Sequence, residues 1–328
     1  MNRIRRFLCL NMASMVVLAL GISNASAQES FPSKPIRIIV GFTPGTGSDV
    51  VARIVSQSYS NILGQPIVIE NKPGAGGMLG PEFGAKATPD GYTLTLASAG
   101  GLIIAPAMSK SPPKYKAEKD FVPIGGLAKS AFVVVTANSA DAPSTFQELV
   151  ARLKDKGGYF GSPGTGTTTH LVGEVLLKQA GVKATHVPYR GSSQAMTDTA
   201  SGQVGFSFDT VAGALPLIRA GKLRALAVTS AERIASLPNV PTVSESGVSG
   251  FSVVGWWGLL APAGTPPDIV TKLSDALIKS LNNPQTKSSL SAQEVEPYPL
   301  ASSAFGALLL KEAPMWTELV KENKLVSD

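Results

Sequence analysis

Two short loops of nearly the same composition, Pro44-Gly45-Thr46-Gly47-Ser48 and Pro163-Gly164-Thr165-Gly166-Thr167, could do chemistry together. Each follows a short apolar run that reads as a strand and opens a stretch with helical spacing. Glycines there let successive backbone N–H groups point into one concavity. A helix starting at the loop adds unsatisfied N–H donors and the positive end of its dipole. The hydroxyls of Thr46, Ser48, Thr165, Thr167 and Thr168 are further donors. Such a loop attracts a carboxylate, phosphate or sulfate. Two of them facing across a cleft would clamp one anion, or both ends of a diacid. Read singly, each loop is equally well an ordinary tight turn with an N-cap; the pairing is what favours the clamp. Neither is a phosphate-binding P-loop, because no Gly-Lys-Ser/Thr closes it, and Gly164-Thr165-Gly166 has no third glycine to complete a dinucleotide fingerprint.

Other residues join this constellation with two readings each. Gly76 sits in a third glycine-rich loop, residues 71–77, which is either a cleft wall or a plain connector. Ser98 and Ala99 follow a predicted strand at 93–97, and ligands of open α/β sheets sit off the carboxyl ends of strands. Tyr189-Arg190-Gly191 follows a predicted strand at 184–187; Arg190 either pairs an anion or is solvated. Asp209 ends a predicted strand and either binds a ligand amine or hydroxyl or caps the next helix. Asp49, in the first turn of its helix, reads better as a partner for the helix dipole than as a ligand group. His170 and His186 are the only histidines. His170, about four residues into a helix, is expected to bond the second loop rather than act as a base; His186 lies in a predicted strand. With no G-x-S-x-G elbow and no H-E-x-x-H pair, a hydrolase or transferase acting on a carboxylate is the weaker reading. Trp256 and Trp257 either stack on an aromatic ligand or pack a hinge.

The elements that must position these residues alternate strand and helix. Strands are predicted at 36–40, 67–70, 93–97, 159–161, 184–187, 204–208 and 224–228, with a helix at 48–63 stopped by Gly64 and another at 171–179 stopped by Gly181. Capping boxes are predicted at Ser144-Thr145-Phe146-Gln147 and Thr265-Pro266-Pro267-Asp268. A final helix, 301–322, should bend at Pro314. This grammar implies an α/β fold with largely parallel, doubly wound sheets. Two apolar, glycine-punctuated stretches, 122–136 and 251–261, read as hinge strands joining two lobes. The expected organisation is a signal peptide at 1–27, one lobe from 28–127 plus 251–328, and a second lobe from 128–250.

The N-terminus carries Arg3, Arg5 and Arg6, then an apolar run at 7–22 and Ala25-Ser26-Ala27. This is the pattern of a secretory signal cleaved after Ala27, and the run is short for a membrane span. Its removal takes three arginines and no acid, so the net charge falls from +6 to +3. A mildly basic surface suits anionic small molecules. With no Lys/Arg block, no nucleic-acid partner is expected. Cys9, the only cysteine, goes with the leader, which excludes disulfides and thiolate metal sites from the mature chain; no metal or cofactor is expected.

An ordered series of motifs carries a family resemblance. It runs Phe42-x-Pro44-Gly45-x-x-x-Asp49-x-x-Ala52-Arg53, then residues 70–77, then Pro89-Asp90-Gly91-Tyr92-Thr93-Leu94 and Gly164-x-Gly166-x-x-x-His170-Leu171. It closes with Val187-Pro188-Tyr189-Arg190-Gly191, Pro238-x-x-Pro241-Thr242 and Ala261-Pro262-x-Gly264-Thr265-Pro266. In this order they resemble the extracytoplasmic solute receptors of the tripartite tricarboxylate transporter system, the Bug (Bordetella uptake) family. The resemblance implies a two-lobed periplasmic binding protein of the Venus flytrap type. It would capture a small organic carboxylate, hold it on the two strand-to-helix loops through backbone amides, hydroxyls and water, and deliver it to the membrane subunits of a transporter. It would be a monomer and not an enzyme. A ligand-sensing partner of a membrane sensor kinase is the alternative that shares the same cleft. The family's first loop usually reads Pro-Gly-Gly, whereas here Thr46 stands at the second glycine, so the ligand itself is not carried over.

Overall fold

The computed structural model describes residues 31–111 and 113–325. The proposed signal peptide, its cleavage point and Cys9 lie outside the described residues. Strand β1 (Ile36–Val40) leads to helix α1 (Gly47–Leu63), which Gly64 ends in the left-handed conformation, φ 72°, with its N–H on the Ser60 carbonyl. Strand β2 (Ile67–Asn71) is followed by a 3-10 turn (Ala75–Gly77), helix α2 (Leu79–Ala85) and strand β3 (Thr93–Ser98). β1 pairs in parallel with both β2 and β3. The chain then continues through a π-helical turn (Gly100–Ile104) into α3 (Ala105–Met108), a stretch whose leading glycines carry no helical signal.

The long strand β4 (Phe121–Ala137) precedes α4 (Phe146–Lys156), β5 (Tyr159–Ser162), α5 (Thr168–Gln179) and β6 (Thr185–Pro188). Next come α6 (Ser192–Ala200), β7 (Phe206–Thr210), α7 (Val211–Arg219) and β8 (Leu223–Val228). β5 pairs in parallel with β6 and β7, a second parallel trio. The chain returns through β9 (Val254–Pro262) and ends with α8 (Pro267–Asn282), α9 (Pro284–Ser291), the short β10 (Glu296–Pro297) and α10 (Ser302–Glu322).

β4 belongs to both halves. From Phe121 to Ala131 it pairs antiparallel with β9, which also pairs antiparallel with β3. From Phe132 onward it pairs antiparallel with β7 and β8. Among the described strands the parallel ladders are those of the two trios, with one isolated parallel bridge between Val228 and Thr242, and antiparallel crossing strands stitch the trios together. Residues 121–137 and 254–262 stay apolar and almost wholly buried because they are covered on both faces.

The segments around β5 and β7 pack around Phe160, Phe206 and Phe208, whose rings meet at centroid distances of 5.5–5.9 Å. Burying one such ring contributes about 2–3 kcal/mol. Helix α10 packs against β9. Phe305 meets Trp256 edge to face, and Glu312 accepts the indole N–H of both Trp256 and Trp316. α10 continues through Pro314 without a break, where the sequence suggested a bend.

The caps differ in detail from the sequence reading. Thr145, not Ser144, is the N-cap of α4: it accepts the Glu148 N–H, while Glu148 reaches back to the N–H and hydroxyl of Ser144. At α8 no capping box forms, because Thr265 donates to the Pro262 carbonyl and the N-cap position is Pro266.

Candidate functional site

Both glycine–threonine loops contribute residues to the lining of one cavity of about 60 Å³. The segments around β1, β3 and β9 supply Phe42, Thr46, Gly47, Ser48, Ser98, Gly255, Trp256 and Trp257. Strand β4 and the segments around β5, β6 and β7 supply Phe132, Pro163, Thr167, Thr168, Thr169, Ser192, Asp209 and Thr210. A space this small admits only a small molecule.

Both loops deliver helix N-termini. The first-turn amides of α1 have no intrahelical acceptor, and the Thr46 side chain caps none of them. Its hydroxyl instead donates to the Thr43 carbonyl at 2.9 Å. With φ of −74° the backbone at Thr46 does not call for glycine, so this side chain adds a wall rather than a donor. Ser48 accepts the indole N–H of Trp257 at 2.9 Å, which leaves its own proton free for the cavity. In the second loop Thr167 is the N-cap of α5. It accepts the His170 N–H and donates to the Gly164 carbonyl at 2.7 Å, so its hydroxyl is committed to the loop. Thr168 and Thr169, in the first turn of α5, also line the cavity.

Asp209, in β7, is 1% exposed. Its Oδ1 accepts from the Ser192 hydroxyl and from the N–H and hydroxyl of Thr210, while no protein donor reaches Oδ2. Burial pushes its carboxyl up to about 6, against the pull of those hydrogen bonds. The oxygen without a partner marks where a donor is wanted.

Several expected residues do other work. Asp49 accepts from the Gly45 N–H, Arg53 and Asn71 and is not among the residues lining this cavity. Burial opposes its charge, but those hydrogen bonds outweigh it and hold the carboxyl below the ordinary range. Its role is to fix the first loop, which agrees with its place at a helix start. His170 accepts the Gly166 N–H on Nδ1 at 3.3 Å and stacks on His186, the ring centroids 3.8 Å apart. Burial, with His170 alongside, lowers His186 to about 3, so it stays neutral. Phe42 and Thr167 also face a second, broader groove of about 1400 Å³, which is lined too by Gly76, Gly164, Thr165, His170, Tyr189 and Arg190. Gly45, Ala99, Gly166 and Gly191 line neither space.

Trp257 is 4% exposed, lies beside Gly47 and lines the cavity. Phe132, Thr169, Ser192, Thr210 and Gly255 were not singled out by the sequence. Ser192 and Thr210 are one residue from the named Gly191 and Asp209, so following each strand end one step further finds them. Phe132 sits inside β4 with no local signal.

The sequence profile described as the tripartite tricarboxylate transporter family receptor matches residues 51–325. A protein encoded in the tcbD-tcbE intergenic region of Pseudomonas sp. (strain P51) is 36% identical over 314 residues, covering 94% of this chain and 93% of that one. Protein BugT of Bordetella pertussis (strain Tohama I) is 32% identical over 309 residues, 93% of this chain and 94% of its own length. Among solved structures, one described as a periplasmic transporter superposes with a TM-score of 0.87 at 38% identity, covering 91% of this chain and 100% of that one. MatC of Rhodopseudomonas palustris, with bound malate, gives 0.82 at 31% identity over 88% and 100%. R. palustris Rpa4515, with adipate, gives 0.86 at 28% identity over 90% and 99%.

Proposed function

This chain belongs to the tripartite tricarboxylate transporter family of receptors, the Bug-type solute-binding proteins, and from that premise we propose that it captures a small organic carboxylate between its lobes and delivers it to the membrane subunits of such a transporter. One observation carries the ligand class: two helix N-termini with uncommitted amides converge on one cavity from opposite lobes. The malate and adipate in the related structures point the same way. Among the side chains lining the cavity, Asp209 is the one that ionises near neutrality, and its partners are hydroxyls and an amide rather than a histidine. This supports binding without catalysis.

In this reading residues 28–127 plus 251–328 form the first lobe and 128–250 the second. The change of partners along β4 at Ala131 and Phe132 supports that division. β4 and β9 are the hinge. Thr46, Gly47, Ser48, Ser98, Thr168 and Asp209 contact the ligand. Asp49, Thr167 and His170 hold the loops, and Tyr189 and Arg190 stand on the rim of the broader groove. The receptor is a monomer in the periplasm, exported by a signal peptide cleaved after Ala27. Among the described residues no helix is long and apolar enough to cross a membrane.

The test is thermal unfolding of residues 28–328 against a panel of carboxylates, each paired with its amide. A ligand that binds only the folded state adds about 2.7 kcal/mol at a hundredfold excess over Kd. A transition raised by one carboxylate and not by its amide supports the reading. Refolded, ligand-stripped protein that responds to none of them refutes it.

A further inference from the structure

We infer that Asp209 makes the cavity select carboxylates that carry a hydrogen-bond donor, a hydroxyl or an ammonium, beside the bound carboxylate group. The inference rests on the carboxylate-receptor reading and narrows its ligand class. It starts from the asymmetry of one side chain. Oδ1 of Asp209 has three donors, whereas Oδ2 has none although its residue is 1% exposed and lines the cavity. A buried carboxylate oxygen left without a donor costs free energy that a ligand donor would recover.

The protein hydroxyls beside this carboxyl are already engaged. The neighbouring hydroxyls of Ser192 and Thr210 are both committed to Oδ1, and Thr210 also accepts the Gly213 N–H as the N-cap of α7. The residue opposite on β4 is Val133. From the other lobe α1 comes close: a Cβ on Gly47 would lie 3.1 Å from Thr210 Oγ1. No charged side chain is among these neighbours. The amide-rich loop of the first lobe and the lone acid of the second therefore bound the same small space. An anion seated on the α1 amides brings its adjacent substituent toward Asp209. A hydroxyl or ammonium there donates to Oδ2. A second ionised carboxylate there would meet like charge in a poorly solvated site. Asp209, which titrates at about 6, is ionised at pH 8, as are plain carboxylic acids.

The experiment is calorimetric titration of residues 28–328 at pH 8 with matched triads. The members differ only in a hydrogen, a hydroxyl or an ammonium at the carbon next to a carboxylate: propionate, lactate and alanine; succinate, malate and aspartate; glutarate, 2-hydroxyglutarate and glutamate. In at least one triad a donor-bearing member should bind at least about tenfold more tightly than the plain one. Asp209→Asn should reduce that gap to within about threefold. If that variant does not fold, Asp209→Ser, whose hydroxyl can still accept the Thr210 N–H, takes its place. Plain members that bind as well as their substituted partners overturn this inference and leave the carboxylate receptor standing, as does a gap that survives both variants. Binding by no triad, together with silence across the wider carboxylate panel, overturns both readings.

Discussion

The side chain of Asp209 sets a signed pH dependence. Its folded value, raised from 3.8 to about 6, means that the native protein holds a proton the unfolded chain has released between those values. Stability is then fully present below about pH 4 and falls as pH rises toward 6, by up to about 3 kcal/mol. Asp209→Asn cannot ionise, so its transition temperature should gain on the wild type between pH 4 and pH 8 in ligand-free protein. Equal differences at both pH values would mean that Asp209 buries no charge. At the same scale Asp49 and His170 stand among the candidate site residues, although the sequence already favoured a helix-start role for the first and a loop-bracing role for the second. Both side chains are hydrogen-bonded to the loops on which the proposed site is built. A residue's type tells what it can bind, but its nearest competing donors decide what it does bind, and those come partly from distant parts of the chain, as Asn71 does for Asp49.

Among the elements, the two helix starts look alike in sequence and differ in construction. Thr167 caps α5 with its side chain, whereas Thr46 occupies the equivalent place on α1 without capping. Thr167→Ala should therefore lower stability by about 1–2 kcal/mol. It should also weaken carboxylate binding, because the Gly164 carbonyl loses the hydroxyl that shapes the loop. Thermal unfolding and titration of the same preparation check both; unchanged stability would show that the cap hydrogen bond contributes nothing. The strands and helices around these loops were legible from period and punctuation. The exceptions are instructive. The π-helical turn at Gly100–Ile104 begins with two glycines, which carry no helical preference, and it forms because its apolar residues are buried. The capping box foreseen at Thr265 failed because consecutive prolines follow it and its hydroxyl found a carbonyl instead.

At the scale of the whole molecule, segments on either side of the proposed lobe boundary meet through close backbone approaches. Gly76 has φ of +64°, and a Cβ there would lie 2.5 Å from the Thr165 carbonyl. Gly76→Ala should hold the lobes apart. Affinity for the carboxylate found by the panel should fall by about tenfold or more, since closure is linked to binding. The ligand-free transition should shift only by the cost of the left-handed backbone, about 1–2 kcal/mol. Unchanged affinity would mean that closure does not use this contact.

Residue pattern alone determined the α/β alternation, the two anion-seeking loops and the crossing strands, because period, glycine placement and caps are local properties of the chain. Motif order marked the family resemblance. Tertiary structure decided which residues of each loop line the cavity. It brought Phe132, Ser192, Thr210 and Trp257, from four separate segments, into one lining and left one oxygen of Asp209 without a donor. Those outcomes depend on how strands far apart in sequence pair and on how two lobes close, and no local spacing encodes either.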